Sequence, residues 1–305
     1  MSRPRLSLGV SALALGAGIV WSLGTIAARL ADGADAFQYL IWRSVGVIVV
    51  IEAMSLRTPH RLPTLRAWRS GWAMVLANFG IFLASITFVY AVKTTTPANA
   101  AFLGSLTPLV AVLFSRFLGE RLTRSTILAL AVALSGLVIT VVSDLEAGSM
   151  IGNLAALTAS FGFALYTVVL RTDTTRDWSP AMSGYGLLMI VVCGIVTVAG
   201  GHTLFPPAID IFLAVLHGAV FIVVGTLMFN HASKHLDAVP MSVFAQTEMV
   251  FTPVWAVVFL GLTPKPLTIV GGAIIFGAVV GKAIHDTRHD KGDRRQPVPS
   301  GSLGG

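Results

Sequence analysis

The chain is laid out as long apolar runs separated by short polar connections. Ten runs stand out, at residues 7–29, 36–56, 70–92, 97–118, 125–143, 150–170, 180–200, 209–232, 238–260 and 267–284. Each is close to the roughly 20 residues a helix needs to cross the hydrocarbon core of a bilayer. The longest connection, Arg57 to Arg69, reads as a polar loop. Residues 286–305, charged and then rich in Pro, Gly and Ser, read as a disordered tail. The first run follows Arg3 and Arg5 and reaches about Ala28. It is longer than the apolar core of a secretory signal and is expected to stay on the chain as the first helix.

Basic residues between the runs set a direction. With the N-terminus in the cytoplasm, seventeen of the 21 Lys and Arg fall on the inner side, three (Arg29, Lys93 and Lys265) fall outside, and Arg43 lies within a span. That bias predicts both termini inside, and it depends on an even number of spans.

Composition agrees with a membrane home: 55% of residues are hydrophobic and 11% charged, against about a quarter charged in a soluble domain. The net charge of +7 raises the question of nucleic acid. The basic residues sit in short connections and in the tail, not on one face of a domain, so no nucleic-acid partner is expected. One cysteine, Cys193, permits no intrachain disulfide. The seven histidines show no ligand spacing, and there is no P-loop, nucleophile elbow or paired catalytic carboxylate. Neither a metal, a cofactor nor an enzymatic activity is expected.

The two halves resemble each other. Phe88, Ala91 and Lys93 form the pattern F-x-x-A-x-K, and Phe229, Ala232 and Lys234 repeat it; Thr107-Pro108 returns as Thr252-Pro253. Five spans per half is an odd number, so the second copy must enter the membrane inverted. The predicted fold is an all-α membrane protein of ten transmembrane helices as two inverted five-helix repeats, residues 1–143 and 144–285, followed by a cytoplasmic tail, 286–305. Inverted repeats are common in transporters, where substrate binds near the midplane between them; packing alone is the competing reading of the duplication.

Several stretches carry a family resemblance. Trp21-Ser22-Leu23-Gly24-Thr25 with Ala28-Arg29, then Trp42-Arg43-Ser44, then Tyr90-Ala91 leading into Thr94–Ala101 and Leu106-Thr107-Pro108, and Leu118-Gly119-Glu120-Arg121-Leu122 are similar to stretches of the EamA-type branch of the drug/metabolite transporter superfamily. Gln246-Thr247-Glu248 and Pro253-Val254-Trp255 resemble a subset of its members. Phe259-Leu260-Gly261 meets Leu262 where the family usually places Glu. The resemblance spans about residues 9–284. It implies ten helices around a central cavity, the fifth and tenth peripheral, and export or exchange of a small organic metabolite across a bacterial inner membrane.

An ionised side chain at the centre of a membrane helix costs about 2.5–3.5 kcal/mol on insertion scales, so such residues are functional candidates. Three acidic or basic residues fall well inside the spans: Glu248, Arg43 and Glu52. Glu248, mid-span and sharing a face with Thr252 and Trp255, is a candidate proton carrier or partner for a substrate ammonium; the competing reading is a hydrogen bond to a neighbouring helix. Arg43 is a candidate partner for a substrate carboxylate or for Glu248, or it snorkels outward. Glu52, close to Arg57, reads as interfacial. Trp21, Asn78, Tyr90, Asn99, Tyr166, Thr252 and Trp255 are the softer candidates for lining a substrate cavity. Helix-to-helix glue competes for the amides, hydroxyls and Trp21, and belt anchoring for the two tyrosines. His217 and His231 share a face of the eighth run and are read as core or interface residues before a relay. Gly272, Gly277 and Gly281, with Ala131 and Ser135, are expected at close helix contacts, with a homodimer as the other use of those small residues. The functional expectation is a secondary transporter, with a non-transporting receptor or scaffold, then an intramembrane enzyme, as alternatives.

Overall fold

The computed structural model describes residues 8–57, 62–94, 103–104, 106–119, 122–142, 150–261 and 266–293. All regular structure among these is helical: α1 Leu8–Leu30, α2 Ala36–Ser55, α3 Pro63–Arg69, α4 Trp72–Thr94, α5 Thr107–Ser115, α6 Arg124–Val142, α7 Met150–Thr172, α8 Pro180–Ala199, α9 Ala208–Leu216, α10 Val223–Ser233, α11 Ala238–Ala245, α12 Thr247–Leu260 and α13 Pro266–Asp293. Among the described residues, seven spans are long and apolar enough to cross a membrane, counting α9 with α10 and α11 with α12 as one span each; α6 and part of α13 are shorter apolar helices. Of the fourth expected span, α5 is the main described part.

Local chemistry explains several helix ends. Asp35 caps α2: its Oδ1 accepts from the backbone N–H of Phe37 (2.7 Å) and Gln38 (2.9 Å), while Gln38 Oε1 accepts from Asp35 N–H. That reciprocal arrangement satisfies donors that the first turn leaves free. Proline opens α3 and α8, where its missing N–H costs nothing.

Helix pairing follows the internal repeat. Helix α4 packs along α7, and α1 packs along α10; α2 pairs with α8, and α6 with α13. Exchanging the halves turns the first pair into the second and each of the other two into itself. The turn before α2 touches Pro207, whereas the matching turn before α8 reaches Ser70, between α3 and α4, through Arg176 Nη1. Small residues let these pairs close. A Cβ on Gly162 of α7 would lie 2.5 Å from the backbone N of Ala84 in α4.

Four expectations need correction. Residues 63–69 form α3 rather than loop; Glu52, read as interfacial, accepts from the backbone N–H of Thr64 (2.9 Å) and from its hydroxyl, so that carboxylate anchors the start of α3. The last helix runs on to Asp293, because extending a formed helix costs far less than nucleating one. Gly272, Gly277 and Gly281 have open space where a side chain would be, and Ala131 and Ser135 are exposed. The contact between α6 and α13 is made at Gly136, against Gly271 and Ile274. His217 and His231 part company, His217 buried and His231 exposed, because a π-helical turn at His217–Ile222 separates α9 from α10 and shifts the phase of the helix face.

Candidate functional site

A buried polar cluster lies where α2, α4 and the eighth span meet. Arg43 of α2 is 4% exposed and donates through Nη2 to Ser85 Oγ of α4; its Nε has no partner. One turn away on the same face, Tyr39 Oη shares a 2.7 Å hydrogen bond with His217 Nδ1. His217 opens the π-helical turn, and such turns cluster at functional sites. Two glycines make the approach possible. A Cβ on Gly24 of α1 would clash with His217 Nε2, and one on Gly218 would clash with the Arg43 carbonyl oxygen. Asp210, in the first turn of α9 and 2% exposed, keeps Oδ2 without a hydrogen bond.

Above this cluster is a half-open cleft of about 370 Å³, lined by Asp35, Phe37, Tyr90, Thr94, Thr197 and His202 among others. Its rim is fastened by the 200–207 connection, which receives hydrogen bonds from Gln38 Nε2 to Thr203 O (2.6 Å) and from Trp42 Nε1 to Leu204 O (3.0 Å). Tyr90 rests against Phe37, ring centroids 6.1 Å apart.

Beneath the cluster the interior is closed by rings. Trp21 of α1 and Phe163 of α7, which occupy matching places in the two halves, meet edge to face at 5.8 Å; Phe229 lies 5.3 Å from both. Tyr166 stacks on Phe229 and donates to Asn230 Oδ1 at 2.6 Å. Farther from the cleft, Arg171 bonds the Ser233 carbonyl (2.9 Å) and pairs with Asp237 (3.2 Å). The cleft thus lies at the end of the bundle where α2 begins, and the packed rings lie toward the other end. Tyr166→Phe is expected to lower stability by about 1–3 kcal/mol, because it strips the buried Asn230 oxygen of its donor; thermal unfolding in detergent checks this.

The ninth span is broken. Helix α11 ends at Ala245, Gln246 turns, and α12 restarts at Thr247, placing Glu248 in the first turn of a new helix. That is a favourable end for a carboxylate, since free N–H groups point toward it. The break sits against Gly18 of α1, where a Cβ would come within 2.8 Å of Glu248 N. Glu248 is half-buried.

The other sequence candidates scatter around this frame. Arg43 is buried and bonded to Ser85, neither snorkelling nor paired with Glu248. Asn78 is fully buried, and its Nδ2 donates to Ala67 O (2.9 Å), tying α3 to α4 away from the cleft. Tyr166 is buried in the ring layer and is not a belt residue. Thr252 bonds the Glu248 carbonyl on its own helix, and Trp255 Nε1 donates to Ser22 Oγ (2.9 Å). Asn99 lies outside the described residues. Sequence reasoning passed over Tyr39 and Asp210 and ranked His217 low. A phenol and an aspartate within one or two turns of a span end look like ordinary boundary residues until their partners across the bundle are known. Among the described residues, no group of three or more His, Cys, Asp or Glu gathers to hold a metal.

Paired helical halves around buried polar groups define a polytopic membrane protein of two-repeat transporter architecture. The chain belongs to the EamA-like transporter family, whose model matches residues 9–142 and again 150–282. It is 27% identical over 216 residues to the pseudopaline exporter CntI of Pseudomonas aeruginosa, covering 70% of this chain and 75% of that protein. It is 26% identical over 222 residues to the uncharacterized transporter YetK of Bacillus subtilis, covering 68% of this chain and 66% of that one. A solved crystal structure shares the fold with a TM-score of 0.74 over 94% of this chain and 99% of the other, at 21% identity.

Proposed function

We propose that this protein is a secondary transporter that exports a small organic metabolite, an amino acid or related solute, across a bacterial cytoplasmic membrane by alternating access. Ten spans in two inverted repeats, with both termini cytoplasmic, form the working unit. The observation that carries the reading is a polar cluster around Arg43, buried between the halves, with a half-open cleft on one side and an aromatic layer on the other. Rocking one repeat against the other would close the cleft over the cluster and part the rings. With both termini inside, the cleft faces outward. The exporter among the relatives supports the direction. Glu248, at a helix break beside α1, is the coupling candidate.

The test is transport in proteoliposomes of the purified chain, with radiolabelled amino acids, with and without an imposed pH gradient. Flux is expected to respond to the gradient, and Glu248→Gln is expected to lose about 100-fold or more of that response, the low end of the range for a lost general acid–base group. Gradient-independent flux kept by the variant would make the protein a facilitator and Glu248 structural. Binding without flux would favour a receptor.

A further inference from the structure

Arg43 is a buried cation that meets no counter-charge among the described residues. Its hydrogen-bond partner is a neutral hydroxyl, Nε is unsatisfied, and among the described residues no carboxylate stands within ion-pair distance of it. Proteins seldom keep an ion buried in a membrane interior without a partner, and where they do the missing charge is often a ligand's.

The groups around it suit an anion. Tyr39, Tyr185, Cys193 and His217 all lie within electrostatic reach of the guanidinium. The hydroxyl of Ser44, next to Arg43 in the chain, is buried and has no partner. The cleft begins at Phe37, about two turns before Arg43 on the same helix. Thr197 lines the cleft with its own buried hydroxyl unsatisfied, and Cys193 is one turn below it on α8. The acidic residues sit toward the mouth: Asp35 at the cleft, and Asp210 within electrostatic reach of Tyr39. They oppose a multiply charged anion and tolerate a solute whose single negative charge is balanced by an ammonium. A planar guanidinium fork matches a carboxylate in two parallel hydrogen bonds. A phosphate monoester, with up to two charges, would want a second cation, and none of the groups around Arg43 is Lys or Arg.

We propose that Arg43 binds the carboxylate of an amino-acid-like zwitterion that enters through the cleft between Asp35, Tyr90 and Thr197, with Ser85 orienting the guanidinium. The inference rests on the transport reading only in treating that ligand as the cargo.

The experiment is ligand-induced thermal stabilisation of the purified full-length chain in lipid nanodiscs, with the standard L-amino acids each measured beside its carboxamide. At least one amino acid is expected to raise the unfolding midpoint, with its carboxamide binding roughly 10- to 100-fold more weakly, the range of a lost charge-assisted hydrogen-bond pair. Arg43→Gln should lose the discrimination. Arg43→Lys should keep part of it, and Ser85→Ala should weaken binding while keeping the preference for the carboxylate. Because the comparison of acid with amide uses the unaltered protein, it decides the matter even if Arg43→Gln does not fold. Equal binding of acid and amide, retention of the preference in Arg43→Gln, or no stabilisation by any amino acid would each overturn the proposal. Flux of an uncharged solute alone would sink this site and leave the transport reading standing; carboxylate binding with no flux would do the reverse.

Discussion

Gly218→Ala is expected to lower the yield of folded protein and to reduce stability by about 3 kcal/mol or more, the largest loss among alanine substitutions at the described glycines. A methyl group at Gly218 would run into the carbonyl oxygen of Arg43 and stand 2.8 Å from its carbonyl carbon and 3.2 Å from Val47 N. All three are backbone atoms, so no rotamer change relieves the clash; the eighth span must move off α2. Two effects compete. Alanine gains about 1 kcal/mol over glycine in helix propensity, and overpacking a close contact costs typically 1–3 kcal/mol and sometimes more. With backbone on both sides, the cost wins. The control is Gly272→Ala, where nothing lies within 4 Å; there the propensity gain should stand alone and leave stability unchanged or slightly raised. Thermal unfolding of the variants side by side in one detergent gives the ranking. If Gly218→Ala unfolded no earlier than Gly272→Ala, the close crossing that holds the Tyr39–His217 pair together would not exist as described.

Trp178→Ala is expected to cost about 3–5 kcal/mol, the range for deleting a large buried aromatic side chain. Trp178 is among the largest fully buried side chains, in the connection before α8. Its Nε1 donates to Asp173 O (3.0 Å), and Arg176 lies 5.2 Å above its ring while donating to Ser70 O (3.2 Å). The indole thereby pins the turn between the sixth and seventh spans to the foot of α4, at the closed end of the molecule. The Thr175 hydroxyl and backbone N–H both donate to the Asp173 carboxylate and hold it below the usual carboxylate range. Its contribution is therefore present at neutral pH and fades only as acid protonates that carboxylate. Trp178→Phe separates the terms: most of the packing remains and one hydrogen bond is lost, so a loss of about 1–2 kcal/mol is expected. Proteolysis within 173–179 should accelerate in Trp178→Ala and stay near the unaltered rate in Trp178→Phe. Equal stability of the two variants would mean that ring volume is not what seals this end.

Much of the architecture was legible before any coordinates. Apolar runs such as 36–56 and 180–200 announce helices because a backbone in hydrocarbon must satisfy its own hydrogen bonds. The repeated Phe88/Ala91/Lys93 and Phe229/Ala232/Lys234 pattern pointed to two related halves, and the pairing of α4 with α7 and α1 with α10 follows from it. The unpaired arginine in α2 was visible as a candidate because a charge is conspicuous in an apolar run. Its surroundings were not. Ser85 stands 42 residues from Arg43 and His217 stands 178 from Tyr39, so neither contact leaves a local pattern. The break at Gln246 and the π-helical turn at His217 were also invisible, since the residues flanking both remain ordinary helix formers. That helices of membrane length form, that they come as two copies and which charges they carry inward can all be read along the chain. Those properties follow from composition and spacing along one strand of chain. Which buried groups meet depends on contacts far apart in the chain: glycines such as Gly24 and Gly218 set how closely two helices cross, and that crossing brings Tyr39 to His217 and leaves Arg43 with no counter-charge among the described residues.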